Sequence, residues 1–377
     1  MKILQICAAY KPAFIYGGPT MSVSMLAEQL QQKNIEIEVY ATTANGKTEL
    51  PVKPNEPVTV EGVCVTYFKR ITKDHSHFSP ALFRKLWKNA RNFDVIHIHA
   101  WWNLVSLFSC AIALMCGIPV VVSPRGTLSA YSFTNKNISV KRIIHQLFGK
   151  RLLNRCFIHV TSDDEEKHIS AILTPKGIFK IANFVKLSGC DPDSLTNREV
   201  FRLIFLSRIE EKKGLDLLLN ALPLLSFPYQ LTIAGDGEAN YVEQLKDLAR
   251  SKNIEHNIDW AGFQGDDKFR LLGQHNLLVL PSFDENFGNV IIESLSVGTA
   301  VLISPFVGLA DYVEENKFGW ISDIDADSFS TAIGQIRNNP TELDRIKASA
   351  PAKIREDFEA NNLCERYIKM YDTILNG

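Results

Sequence analysis

Short runs of Val, Ile and Leu recur along nearly the whole chain, and each is followed by a stretch of helix length. In the first half the runs are KILQIC (2–7), EIEVYA (36–41), FDVIHIH (93–99), PVVVS (119–123) and FIHVTS (157–162). In the second half they are RLIFLS (202–207), QLTIAG (230–235), NIDWAG (257–262), LLVLPS (277–282) and AVLIS (300–304). Near-continuous β-branched runs mark strands covered on both faces, as in parallel sheets. Between them, apolar spacing predicts helices over 20–33, 137–153, 214–225, 239–252 and 289–298. Two successive series of this alternation predict an α/β protein of two Rossmann-like, doubly wound domains. In the segment 184–200, Gly, Pro, Asp and Ser cluster without periodicity, which puts the seam there. The expected domains are 1–185 and 186–354, with a closing helix over 355–377.

The run from Ala100 to Pro124 carries no charge and is long enough to raise a membrane span. Gly117-Ile118-Pro119 divides it, however, so a buried helix over 103–116 and a buried strand over 119–123 fit better. Seven scattered cysteines without a C-x-x-C pair suit reduced thiols, and MKILQICAAY is broken too early by Lys11-Pro12 for a secretory leader. A cytoplasmic protein, peripheral on the inner face of the cell membrane if it binds one, is expected. The net charge of −1 hides a division: residues 1–185 hold 22 basic against 12 acidic side chains, and the remainder 19 against 30. Such polarity suggests domains with different partners.

Ligands of open α/β sheets bind outside the carboxyl ends of the strands. Beyond RLIFLS come Arg208 and Lys213, two cations placed to converge on one anion; a pyrophosphate suits them, while a solvated loop paired to Glu210 and Glu211 is the plainer option. Beyond LLVLPS comes DENFGNVIIE. A helix starting near Gly288 would aim the amides of Gly288, Asn289 and Val290 at an anion, with Glu285 and Glu293 as acceptors for sugar hydroxyls. For two glutamates at this spacing, surface charge is the alternative.

Taken in order, SRIEEKKGL, the loop AGDGE (234–238) and ENFGNVIIE resemble the retaining glycosyltransferases of family 4, which have the GT-B fold. GGPTMSVSMLAEQL and GIPVVVSP in the first half match as well. The resemblance implies that Arg208 and Lys213 hold the donor diphosphate, Glu293 the ribose and Glu285 the region of the donor sugar. It extends the donor set to Gly17, Gly18, Phe287, Gly288, Asn289 and Val290, and gives Glu285, Arg208 and Lys213 the catalytic roles. It further implies a closing helix that crosses back to the first domain and no metal or other cofactor, the two cations standing where a Mg²⁺ ion would neutralise the leaving group. The DPD, DID and DAD pairs (191–193, 323–325, 325–327) read as turns and caps.

In the first half, Thr20 or Ser22 is positioned to cap the helix over 20–33. His97 and His99 fall on one face of a strand, without a third ligand at metal spacing; His99 is the better candidate to border a substrate cleft. Where many family members carry V-x-x-H, this chain has VSPRG, so Arg125 occupies the histidine position and is too permanently protonated to act as a base. No acidic residue lies between Val95 and Ser162, and the helix over 137–153 combines basic residues with an apolar face. It can pack on the sheet or lie on an anionic membrane. No nucleic-acid motif accompanies the charge.

The expected activity is transfer of a hexose-type sugar from a nucleoside diphosphate to an acceptor hydroxyl with retention. The acceptor is expected to be a lipid-linked or oligosaccharide one of bacterial surface polysaccharide or glycolipid synthesis. A nucleotide-sugar epimerase or hydrolase and a non-catalytic nucleotide-sugar-binding protein remain as alternatives.

Overall fold

The structure is a computed structural model that describes residues 1–129, 148–188, 200–265 and 267–377. Its contacts divide the chain into Met1–Phe184 with Ala360–Gly377, and Val185–Glu359.

The described strands of the N-terminal unit are β1 (Lys2–Cys7), β2 (Glu36–Thr42), β3 (Ala44–Asn45), β4 (Thr48–Glu49), β5 (Pro57–Val60), β6 (Val63–Phe68), β7 (Val95–His99), β8 (Val120–Ser123), β9 (Phe157–Val160) and β10 (Gly177–Lys180). Eight of them form one sheet in the order β10-β9-β8-β7-β1-β2-β6-β5. It is parallel except at its edge, where β5 runs antiparallel to β6, a hairpin that an all-parallel reading does not contain. β3 and β4 form a separate small hairpin.

Strand alternation sorts the apolar residues into two layers. Ile3, Val39, Val95 and Val121 share a cluster with Val23, Leu26 and Leu30 of helix Gly18–Gln32 and with Leu363, Tyr367, Met370, Tyr371 and Ile374 of the terminal helix. Leu4, Ile6, Ile96, Ile98 and Val122 share the other with helices Pro80–Asn89 and Leu104–Met115. The charge-free segment is thus a 12-residue helix capped by Asn103, followed by β8. At 1.5 Å per residue it is far shorter than a bilayer core of roughly 30 Å. No helix among the described residues is long and apolar enough to cross a membrane.

The terminal helix is Ala360–Asn376, not 355–377. Residues 355–357 complete helix Pro340–Asp357, which stops where Phe358 turns its ring onto Phe287 and Tyr312.

The C-terminal unit has one six-stranded parallel sheet among its described residues: β11 (Phe201–Leu206), β12 (Tyr229–Ala234), β13 (Ile258–Gly262), β14 (Leu277–Leu280), β15 (Ala300–Ile303) and β16 (Gly319–Ile321). Their order is β13-β12-β11-β14-β15-β16. The first strand is central, and the winding reverses between β11 and β14, where such sheets open a crevice for ligands.

Candidate functional site

Two loops leave the carboxyl ends of β11 and β14, on either side of that reversal. The first is locked to the loop after β12 by backbone contacts: Ser207 N–H donates to the Ala234 carbonyl and Ile209 N–H to the Asp236 carbonyl, 3.1 and 2.8 Å. Gly235 permits this approach. Its φ is +144° and a Cβ there would overlap the Ser207 carbonyl oxygen. The AGDGE motif is therefore a brace for Ser207-Arg208-Ile209. Arg208 itself is exposed and donates from Nη1 to Glu210 at 2.6 Å.

Lys213 behaves differently. It is 5% exposed, and its Nζ pairs with Glu285 Oε2, joining residues 72 apart in sequence across β11 and β14. Phe283 N–H donates to the Lys212 carbonyl at 2.8 Å and ties the two loops together. Burial pushes the Glu285 carboxyl up, but Lys213, then Lys212 and Arg208, outweigh it and hold the group below its ordinary value. Burial and the neighbouring Lys213 charge in turn lower Lys212. The expected alternative, Lys213 paired locally with Glu210 or Glu211, is not what forms.

Glu285 is also fixed by its backbone, which accepts from Gly308 N–H (2.8 Å) and donates to the Phe306 carbonyl (3.0 Å). Gly288 then turns the chain at φ +90°, a value that favours glycine, into helix Asn289–Ser296. That helix has no side-chain cap and no acid in its first turn, a combination compatible with an anion at its N-terminus. Glu293 lies one turn in, 8% exposed, and accepts from Lys268 Nζ at 2.6 Å. The sequence reading missed Lys268, because it opens a short helix, Lys268–Gly273, whose relation to Glu293 exists only once that helix packs beside helix Asn289–Ser296. Phe287 is 3% exposed with its ring against Phe358, so only its backbone faces the loop chemistry. A cavity of about 550 Å³ lined by Leu222, Phe227, Tyr229 and Ile254 lies at the opposite, amino end of the strands and touches none of these groups.

In the N-terminal unit the ends of β7, β8 and β9 carry a buried neutral network with one cation, Arg125, beside it. Gly17 (φ +66°) precedes helix Gly18–Gln32 without a side-chain cap, so neither Thr20 nor Ser22 caps it; the expected start at 20 is two residues late because Gly18 and Pro19 already form the first turn. His97 is fully buried, bonded through Nδ1 to Tyr371 Oη (2.7 Å) and through Nε2 to Ser123 Oγ (2.6 Å). Ser123 continues to His159 Nδ1 (2.7 Å), and His159 to the Ile181 carbonyl and Tyr367. Burial, then neighbouring positive groups, holds His97 well below the usual imidazole range and His159 at about 3. His97 thus anchors the terminal helix.

His99 is 2% exposed, and its Nδ1 accepts from Arg125 Nε at 3.4 Å. Arg125 Nη1 donates to Asn183 Oδ1 at 2.7 Å. Most of the helix expected over 137–153 lies outside the described residues; its end, Lys150–Leu153, is helical. Among the described residues no group of three His, Cys, Asp or Glu is placed to hold a metal ion, and Asp325 caps helix Ala326–Arg337. The DPD pair lies outside the described residues.

The two halves match two sequence families: Glycosyltransferase Family 4 over residues 16–188 and Glycosyl transferases group 1 over 191–353. An uncharacterized glycosyltransferase of Methanocaldococcus jannaschii is 25% identical, across 98% of each chain. The phosphatidyl-myo-inositol mannosyltransferase of Mycolicibacterium smegmatis is 26% identical, over 95% of this chain and 90% of that one. Among solved structures, HepE of Anabaena in complex with UDP and glucose superposes with a TM-score of 0.78 at 19% identity, covering 99% and 100% of the two chains. With two Rossmann-like sheets, matches that together span most of its length and full-length relatives of one enzyme class, the chain belongs to the group 1/family 4 glycosyltransferases and has the GT-B fold.

Proposed function

We propose that this glycosyltransferase takes a nucleoside-diphosphate sugar on its C-terminal unit and passes the sugar, with retention and without a metal, to an acceptor hydroxyl presented by its N-terminal unit. The observation that carries the reading is the Lys213–Glu285 pair across the β11–β14 reversal, flanked by Arg208. In the reaction the acceptor oxygen bonds to the anomeric carbon, the bond from that carbon to the diphosphate oxygen breaks, and the acceptor proton is released. The charge that develops on the diphosphate falls to Arg208 and Lys213, with the Gly288, Asn289 and Val290 amides and the Gly17-Gly18 loop as further donors. Arg208 is free to turn from Glu210, because an exposed pair is worth only about 0–1 kcal/mol. Glu293, steadied by Lys268, takes the ribose hydroxyls, and Glu285 orients the sugar.

The acceptor we favour is a lipid-linked or oligosaccharide chain of surface polysaccharide or glycolipid synthesis, met at the inner membrane face of a bacterial cell; the mannosyltransferase relative, whose name carries a phosphatidylinositol, supports a lipid. A thermal-shift panel of nucleoside-diphosphate sugars tests the donor assignment, since binding to the folded state raises the melting temperature. Uridine donors come first because of the Anabaena neighbour. The chosen donor is then incubated with and without acceptor, in EDTA. Product that needs acceptor and survives EDTA is expected. Equally fast donor breakdown without acceptor, or loss of activity restored by Mg²⁺, would contradict the reading.

A further inference from the structure

Most described cations near a strand end are paired with a carboxylate: Arg208 with Glu210, Lys213 with Glu285, Lys268 with Glu293. Arg125 is the contrast. It follows β8, is partly buried, and makes no ion pair among the described residues; it donates to His99 and Asn183, both neutral acceptors. The charge of Glu165 acts on Arg125 without an ion pair to it, and its two oxygens accept from Gly126 N–H and from the Thr161 N–H and hydroxyl. Drawing a charge out of water without a counter-ion is costly, and the chain also holds Arg125 at φ +51°, an uncommon conformation for a side-chain-bearing residue.

A second group beside it is unsatisfied. Because Arg125 donates to Nδ1 of His99, a neutral His99 carries its proton on Nε2, and that buried nitrogen has no hydrogen-bond partner among the described residues. Burial keeps the ring neutral, so the proton stays on Nε2 as a donor. A fixed guanidinium with spare N–H groups and an idle imidazole N–H are complementary to an oxyanion.

Resting on the acceptor-side reading above, we propose that Arg125 and His99 bind an anionic substituent of the substrate, the carboxylate of an acidic sugar or a phosphate. The site selects for charge where a histidine would read only a hydroxyl.

The test titrates the full-length protein with D-glucuronate, inorganic phosphate and D-glucose at constant ionic strength, in an Arg208→Ala, Lys213→Ala background so that the two diphosphate cations do not contribute. Saturable binding of glucuronate, phosphate or both, without glucose binding, is expected, and which anion wins identifies the source. Arg125→Gln should weaken that binding by about ten- to hundred-fold, the scale of a lost charge-assisted bond, and Arg125→Lys should recover part of it. Without ligand, Arg125→Gln should melt no lower than its parent, since it removes an unpaired charge. Undiminished anion binding by Arg125→Gln, or no anion binding by the parent, overturns the proposal. So does Arg125→Gln in otherwise wild-type protein if it melts several degrees lower and loses its response to UDP as well, which would make Arg125 part of the scaffold. UDP binding by otherwise wild-type protein, and its loss in Lys213→Ala, reports on the donor reading separately, so either can fail alone.

Discussion

Both units are built on a sheet whose first strand is central, with the winding reversed beside it, yet they fill the strand ends with opposite chemistry. In the C-terminal unit the ends of β11 and β14 carry charge in pairs, Lys213 with Glu285 and, further along, Lys268 with Glu293. In the N-terminal unit the ends of β7 and β8 carry a neutral chain of His97, Ser123, His159 and Tyr371. Paired charges can exchange partners when a charged ligand arrives, each group remaining ionised throughout. A buried neutral chain is spent on holding structure, here the terminal helix. One architecture thus supports a surface meant to be re-partnered and another meant to stay closed, and Arg125 is the exception on the closed side.

The largest effect that would sharpen this comparison is truncation after Glu359. Six buried side chains of the terminal helix, Leu363, Cys364, Tyr367, Met370, Tyr371 and Ile374, leave the core. At about 1.5–3 kcal/mol each, the loss rivals a whole domain's stability of roughly 5–15 kcal/mol. Hydrogen exchange should show the N-terminal sheet unprotected while β11–β16 keep their protection; equal protection in both would break the division.

Acid comes next. His77, His97, His99 and His159 of the N-terminal unit, and only His275 among the described histidines of the other, are held below the usual imidazole value, chiefly by burial. The unfolded chain therefore binds more protons below pH ~6.5, so stability is complete above that pH and falls as the pH drops towards about 3, where His159 titrates in the folded state. Each such group contributes a slope of about 1.4 kcal/mol per pH unit. Glu285, depressed from 4.5, costs the C-terminal unit stability only below that value. Denaturant melts at stepped pH should lose the N-terminal unit first; simultaneous loss would contradict the neutral-network assignment.

Lys213→Ala should then lower turnover by about 10²–10³-fold, the scale of one lost charge-stabilising donor, while leaving Glu285 unpaired. Initial rates at saturating donor check it, and a near-wild-type rate would remove Lys213 from the mechanism. The smallest effect belongs to Glu210→Gln. Its exposed pair with Arg208 should matter by less than about 1 kcal/mol in a thermal melt and only a few-fold in rate.

The fold was largely legible because fully buried strands announce themselves as Val, Ile and Leu runs. β5, β6, β10 and β16 were not: β5, β10 and β16 are partly exposed, and β6 is broken by the exposed Cys64 and the polar Thr66. Helix Asp163–Ile172 and helix Pro340–Asp357 are mostly polar and gave no apolar stripe to read. Of the candidate site, Arg208, Lys213, Glu285 and Glu293 could be placed from strand ends and motif order. Their partners could not: the 72-residue pairing of Lys213 with Glu285 depends on β11 and β14 becoming neighbours, and the recruitment of Lys268 on its helix packing beside helix Asn289–Ser296. Likewise the spacing put His97 and His99 on one face, but only Tyr371, from the far end of the chain, shows that one of them is structural.

That far end has a consequence for how the protein is made. The chain leaves its first unit at Phe184 and does not return until Ala360. A ribosome adding roughly 5–20 residues per second needs on the order of 10–30 s to cross that interval, during which the sheet face awaiting Tyr367 and Tyr371 is uncovered. The unit translated first is completed last, and a nascent-chain experiment should find β11–β16 protected from protease before β1 is.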